Sequence, residues 1–162
     1  MVYKASMDSL TKTITVIVTI LIAGVIALPF IKRTGHSLPI YTDILLPLVY
    51  FIAYAFRPID YMLTANQLIV RRLFADVKID RSQIKSVTLA DKEQIGRAMR
   101  AFGVGGLFGY YGKFTSTKLG SMTWYATRKD KTVLVQTTGN KKIILTPNDP
   151  SKFVADFNMQ LL

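Results

Sequence analysis

The 162-residue sequence predicts a two-helix transmembrane hairpin followed by a mostly-β sandwich or barrel of about seven antiparallel strands, closed by a C-terminal capping α-helix. Three observations lead there. Residues 14–31 carry no charge, a second apolar stretch follows at 38–56, and the remainder divides into short β-prone runs separated by turn chemistry. We therefore divide the chain into a membrane part, residues 1–57, and a folded part, residues 58–162.

The first stretch, ITVIVTILIAGVIALPFI, has 18 residues, close to the roughly 20 that cross a hydrocarbon core of about 30 Å. Pro29 falls in its last turn, and Lys32 and Arg33 follow where head groups receive charge. A cleavable signal peptide is the rival reading. Against it, the run exceeds the usual ~7–15 residues and no small-x-small site precedes Lys32. The second stretch, LPIYTDILLPLVYFIAYAF, has Pro39 in a first turn and Pro47 where it should bend the helix. Tyr41 and Tyr54 stand near its two ends as interfacial aromatics. Asp43 lies near the helix N-terminus, where the dipole favours a carboxylate, and we read it as an interfacial cap because neither span offers a second ionisable partner.

Residues 32–37 link the two spans, so both ends of the hairpin lie on one side. The link carries Lys32 and Arg33, whereas the flanks carry Lys4, Lys12, Arg57, Arg71 and Arg72, a bias that predicts cytoplasmic termini. His36 then sits in a solvated turn on the far side.

The folded part is basic: 17 of the 21 Lys and Arg follow residue 56, against 8 of the 10 acids. With no Cys and one His, a disulfide framework, a thiolate nucleophile and the usual zinc ligand sets are excluded. Residues 61–64 and 68–74 read as a hairpin around Asn66, residues 77–80 and 84–89 as two further strands, and residues 122–127, 132–136 and 142–145 as three more. Residues 128–131 and 137–140 supply turns. Asp149 and Pro150 then open a helix whose Phe153, Phe157 and Leu161 recur every four residues, one apolar stripe suited to closing an open end of the β structure.

The segment GVGGLFGYYGKF at 103–114, then Leu119-Gly120, Trp124-Tyr125-Ala126-Thr127, Val133 to Thr137, Leu145-Thr146-Pro147, Asp149-Pro150 and Phe153, resembles the bacterial pleckstrin-homology-like domain family. The likeness covers about residues 59–162. It implies a seven-stranded, strongly bent sandwich with a C-terminal helix, often attached to N-terminal membrane helices. On that resemblance Gly106, Gly109, Gly112, Gly120, Tyr125, Pro147, Asp149, Pro150 and Phe153 are fold markers.

The glycines fit neither GxGxxG, because Phe108 stands at the third glycine position, nor GxxxxGK[ST], because Phe114 follows Gly112-Lys113. We read them as backbone bends, with a sharper alternative: Phe102, Leu107, Phe108, Tyr110 and Tyr111 forming an exposed apolar loop that dips into the bilayer. Residues 91–100 read as a short helix with Arg97 and Arg100 on a basic face. With Lys113, Lys118, Arg128 and Lys129 they form the candidate surface for anionic lipid or a protein partner.

Acid–base and nucleophilic chemistry lack their usual members in a part with no His or Cys and no coupled carboxylates, so we expect no enzyme, no cofactor and no metal. Nucleic acid is disfavoured because Trp124 and Tyr125 point to opposite faces of one strand. The expectation is a non-catalytic adaptor in the inner membrane, its termini and folded part cytoplasmic, binding a protein partner or its own copies with auxiliary contact to anionic lipid. An accessory subunit of a transporter or channel, with Asp43 functional and Ala23 and Ala27 at a helix contact, is the alternative.

Overall fold

The computed structural model describes residues 1–32 and 40–159. The chain opens with a short strand, β1 (Val2–Lys4), and runs into α1 (Ser9–Lys32). Asp8 caps that helix by accepting the Thr11 N–H at 2.8 Å, which satisfies one of the amides the first turn leaves free. A second helix, α2 (Ile40–Ala55), contains Pro47 and is followed by β2 (Pro58–Leu63) after only Phe56 and Arg57.

At 1.5 Å per residue α1 is about 36 Å long and α2 about 24 Å. Among the described residues, Ser9–Ala27 is the one stretch of helix long and apolar enough to cross a membrane, and Ile44–Ala55 falls short of that length. Both helices expose large apolar side chains, among them Ile17, Ile20 and Leu21 on α1 and Ile44, Leu48 and Phe51 on α2. A hydrogen bond of 2.6 Å joins the Thr19 and Tyr50 hydroxyls across them. His36, Arg33 and Leu161 lie outside the described residues, as does the side chain of Asp43.

Two sheets follow. The first has the order β1-β2-β3-β4, with β3 at Gln67–Arg72 and β4 at Val77–Asp80. The second comprises β5 (Ile84–Ala90), β6 (Ala98–Gly105), β7 (Tyr110–Ser116), β8 (Gly120–Ala126), β9 (Thr132–Thr137) and β10 (Lys142–Leu145), in the order β5-β9-β10-β8-β7-β6. Helix α3 (Lys92–Ile95) precedes β6, and α4 (Pro150–Met159) ends the described chain.

Three expectations change. The strands are not all antiparallel, because β10 runs parallel to β8, with Ile144 opposite Trp124. The segment read as a glycine loop is two further strands, β6 and β7, which raises the count above seven. The helix expected over 91–100 stops at Ile95, since Gly96 adopts φ 73°, and Arg97 and Arg100 therefore share no helix. Strand β1 pairs with β2 so that Tyr3 lies opposite Tyr61, which ties the first residues to the β structure.

The main core lies between the sheets and under α4, around Tyr61, Leu68, Val70, Val133, Val135 and Phe153. A second cluster, including Phe114, Trp124, Leu134 and Ile144, occupies the opposite face of the second sheet. Val133-Leu134-Val135 and Ile143-Ile144-Leu145 are buried on both faces, so these strands read as unbroken apolar runs without alternation. The α4 stripe is as expected for Phe153 and Phe157, with Asp149 accepting the Lys152 N–H at 3.0 Å. Tyr3 fastens that helix to the chain's first strand: its ring meets Phe153 edge-on at 5.0 Å and its hydroxyl donates to Asp156. Burial, followed by the hydrogen bond to the Asp156 carboxylate, drives the Tyr3 phenol well above its usual range.

Candidate functional site

Where the two helices meet the β structure, the glycine-rich hairpin fits between them. In β6 and β7, Gly103 pairs with Gly112, and a Cβ on Gly112 would lie 2.4 Å from the Phe102 carbonyl oxygen. The two backbones therefore approach as only glycine allows. At the tip, a Cβ on Gly106 would stand 2.9 Å from Cδ1 of Ile14, which brings the turn against α1. Phe108, at φ 59°, enters between the helices. Its N–H donates to Thr15 Oγ1 at 3.0 Å, and its ring packs edge-on against Tyr50 at 5.0 Å and Tyr54 at 5.3 Å. Tyr111 donates its hydroxyl to the Ala53 carbonyl, and burial, opposed by the Arg57 charge, raises its phenol far above the usual value.

Phe108, Tyr110 and Tyr111 are all buried, Phe108 and Tyr111 against the helices, so these three do not form the exposed apolar loop expected. Phe102 differs: it stands 79% exposed on β6, an edge strand of the second sheet. Beside the wedge, the Arg57 guanidinium lies 4.4 Å above the Tyr54 ring and that of Arg72 lies 5.2 Å above Phe56. The β3–β4 turn brings Leu73 and Phe74 to the same end, both exposed, with Phe74 edge-on to Phe56 at 5.7 Å and its N–H donating to the Ala55 carbonyl at 3.0 Å.

On the outer face of the second sheet a cavity of about 470 Å³ opens over Tyr110, Phe114 and Trp124. Lys92, Arg100 and Lys129 also line it. A β-bulge between Arg100 and Phe102 sets the faces: Arg100 pairs with Phe114 on the cavity side, whereas Phe102 pairs with Lys113 on the other. Lys129 places its ammonium 4.8 Å from the Tyr110 ring centroid, and its N–H donates to Asp8 at 3.2 Å. Burial raises the Tyr110 phenol despite the opposing contact with Thr11.

A family model described as Bacterial PH domain matches residues 59–161. The chain belongs to the bacterial PH domain family. No curated protein and no solved structure matches it. Within this PH domain the predicted surface residues do not form one patch. Arg100, Lys129 and Tyr110 come together at the cavity. Lys113 stands on the opposite face, its ammonium 2.9 Å from Thr123 Oγ1, and Lys118 lies beside Gly96 with Arg97 exposed next in the chain. Arg128 is engaged: it makes a bidentate pair with Asp130 at 2.7 and 2.6 Å and reaches Ser6 Oγ at 3.3 Å. Sequence reasoning missed Lys92 and the cavity role of Trp124. The available signal was Asp91-x-x-Gln94, a capping box in which each side chain meets the other's backbone N–H and which starts the turn carrying Lys92.

Proposed function

We propose that this PH domain is a membrane-anchored, non-catalytic binding module, held by a helical hairpin at the cytoplasmic face of the inner membrane, where it engages a protein partner or second copies of itself. The observation that carries this reading is the set of direct connections between helices and domain: β1 precedes α1, α2 is followed by β2 after two residues, and the glycine-rich hairpin bonds to α1 through the Phe108 N–H and to α2 through the Tyr111 hydroxyl. The domain accordingly moves with its anchor, which suits a module that presents a fixed face to something else at the membrane. The uncovered apolar surface of both helices supports the anchor, since lipid or a second copy removes it from water. Arg57, Arg72, Leu73 and Phe74 at the helix bases support an auxiliary contact with anionic head groups, worth roughly 1 kcal/mol per basic side chain near the surface.

The sequence contains no cysteine, so single cysteines report topology directly. His36→Cys should react with a membrane-impermeant maleimide from outside intact spheroplasts, and Thr138→Cys only in inside-out vesicles. Labelling of both from one side means that α2 does not complete a second crossing. Crosslinking from native membranes then identifies the partner.

A further inference from the structure

The second sheet ends on β6, and among the described residues nothing pairs with the outer side of that strand. Edge strands are usually short, charged or covered, because their free N–H and C=O groups recruit other chains. The other edges follow that rule: β1 has 3 residues, β4 has 4, and β5 packs against α4. Strand β6 has 8, the most of any described strand, and contains neither proline nor an acid. We infer that β6 is the docking edge for an extended acidic segment of a partner protein. That segment adds a strand to the second sheet through main-chain hydrogen bonds, lays apolar side chains beside Met99 and Phe102, and turns its carboxylates to the cations around the strand.

The side chains set the chemistry of the occupant. Phe102 is 79% and Met99 70% exposed, more than any large apolar residue described on the helices, where Ile44 reaches 67%. Residues three apart on a strand ordinarily point to opposite faces, but the bulge between Arg100 and Phe102 brings both to one face, opposite Thr115 and Lys113. An added strand covers the pair with alternate apolar residues, and its intervening residues share the face of Arg100, where acids match it. The surroundings have one sign. From Gln94 to Lys129 the sequence holds no Asp or Glu, while Arg97, Arg100, Lys113 and Lys118 stand along the hairpin. Neither arginine meets a carboxylate among the described residues. A second copy of this chain fits less well, because pairing β6 with itself sets two acid-free cationic edges against each other. The inference rests on the binding-module reading above and names the partner's chemistry.

The full chain, in detergent and in phosphatidylcholine nanodiscs, is titrated with short fluorescein-labelled peptides in which Glu alternates with Val, Leu or Phe. Matched peptides carry Lys in place of Glu, or are N-methylated at every amide and so cannot form a ladder. The expected result is a saturable rise in anisotropy with the Glu peptides, weakened about tenfold or more by either change in the peptide and by Phe102→Ser, with Lys85→Gln on the opposite edge strand unchanged. Bound peptide should also slow hydrogen exchange of the amides of residues 98–105. No saturable binding by any Glu peptide, equal binding of the Lys or N-methylated forms, or protection that spares β6 overturns the proposal. So does a fall in particle mass with Phe102→Ser in light scattering, which assigns the edge to a second copy, or a lipid environment reported by a bimane on Phe102→Cys in nanodiscs. The detergent titration does not depend on the hairpin topology, which the His36→Cys and Thr138→Cys labelling reads separately, so either reading can fail without the other. Circular dichroism of Phe102→Ser and Lys85→Gln, both at exposed positions, confirms that they fold.

Discussion

Replacing Gly112 with alanine tests whether the contact between β6 and β7 is as close as the structure gives it. Gly112 has φ 125°, a conformation costing of order 1–3 kcal/mol for a residue with a side chain. The added Cβ would also meet two backbone atoms, the Phe102 carbonyl oxygen at 2.4 Å and the Gly103 Cα at 2.8 Å, neither of which can rotate away. Relief requires parting the strands at the Gly103–Gly112 pair, which pulls on the wedge between the helices. Gly120→Ala is the matched control: its φ is 69° and nothing lies within 4 Å, so it bears only the conformational cost of about 1–2 kcal/mol. We expect Gly112→Ala to cost at least about 2 kcal/mol more. For a domain of this size that corresponds to a Tm roughly 8–16 °C below that of the control. Thermal unfolding of the full chain in detergent, followed by far-UV circular dichroism and by Trp124 emission, measures it, since Trp124 stacks on Phe114 at 5.0 Å beside this strand pair. A Gly112→Ala Tm within about 4 °C of Gly120→Ala would refute the close approach. Gly103→Ala and Gly112→Ala combined should cost less than their sum, because strands already parted admit the second Cβ.

Phe108→Ala should destabilise the chain by about 3–5 kcal/mol, because it empties the space between Tyr50 and Tyr54, and the same unfolding scan reads it. Tyr61, whose burial pushes its phenol up to about 12 from 10.0, donates to the Tyr125 carbonyl at 2.7 Å and accepts the Thr146 N–H at 3.1 Å. Because the folded value is raised, its contribution is full below pH 10 and fades as pH rises towards 12. Tyr61→Phe should therefore lower Tm at neutral pH by the worth of about 1–2 kcal/mol and flatten the alkaline limb of a Tm–pH curve. The Asp8 carboxyl is raised by burial, but the hydrogen bonds from Thr11 and Lys129 outweigh that and leave it below 3.8. Its stabilisation is thus present above the ordinary carboxylate value and lost as pH falls through the folded one, and Asp8→Asn should remove that acid-side dependence from the same curve.

Much of the fold was legible because it follows from local chemistry. The turn at 128–131 and that at 137–140 appear where expected, with Lys131 at φ 53° and Asn140 at φ 59° supplying the left-handed residues. The α4 helix starts at Pro150 after its Asp149 cap, and Phe153 and Phe157 face the core. The candidate surface was legible only as charge. Nothing in the spacing of Arg100 and Lys129 tells that they share a cavity, because a β-bulge decides which face Arg100 takes and the second sheet brings Lys129 to it. Phe108 misled for a related reason, since an aromatic residue among glycines reads as an exposed loop until the helices that enclose it are in place.

The residue sequence by itself determined the apolar helix near the start, the strand and turn punctuation, the capped C-terminal helix and the family, all of which depend on neighbours within a few residues. The tertiary structure alone decided that β1 joins a sheet formed mostly after residue 57, that β10 lies parallel to β8, and that the glycine hairpin clamps both helices. Those choices depend on which surfaces meet across long stretches of chain, where hydrogen-bond pairing and the fit of a single buried ring outweigh local preference.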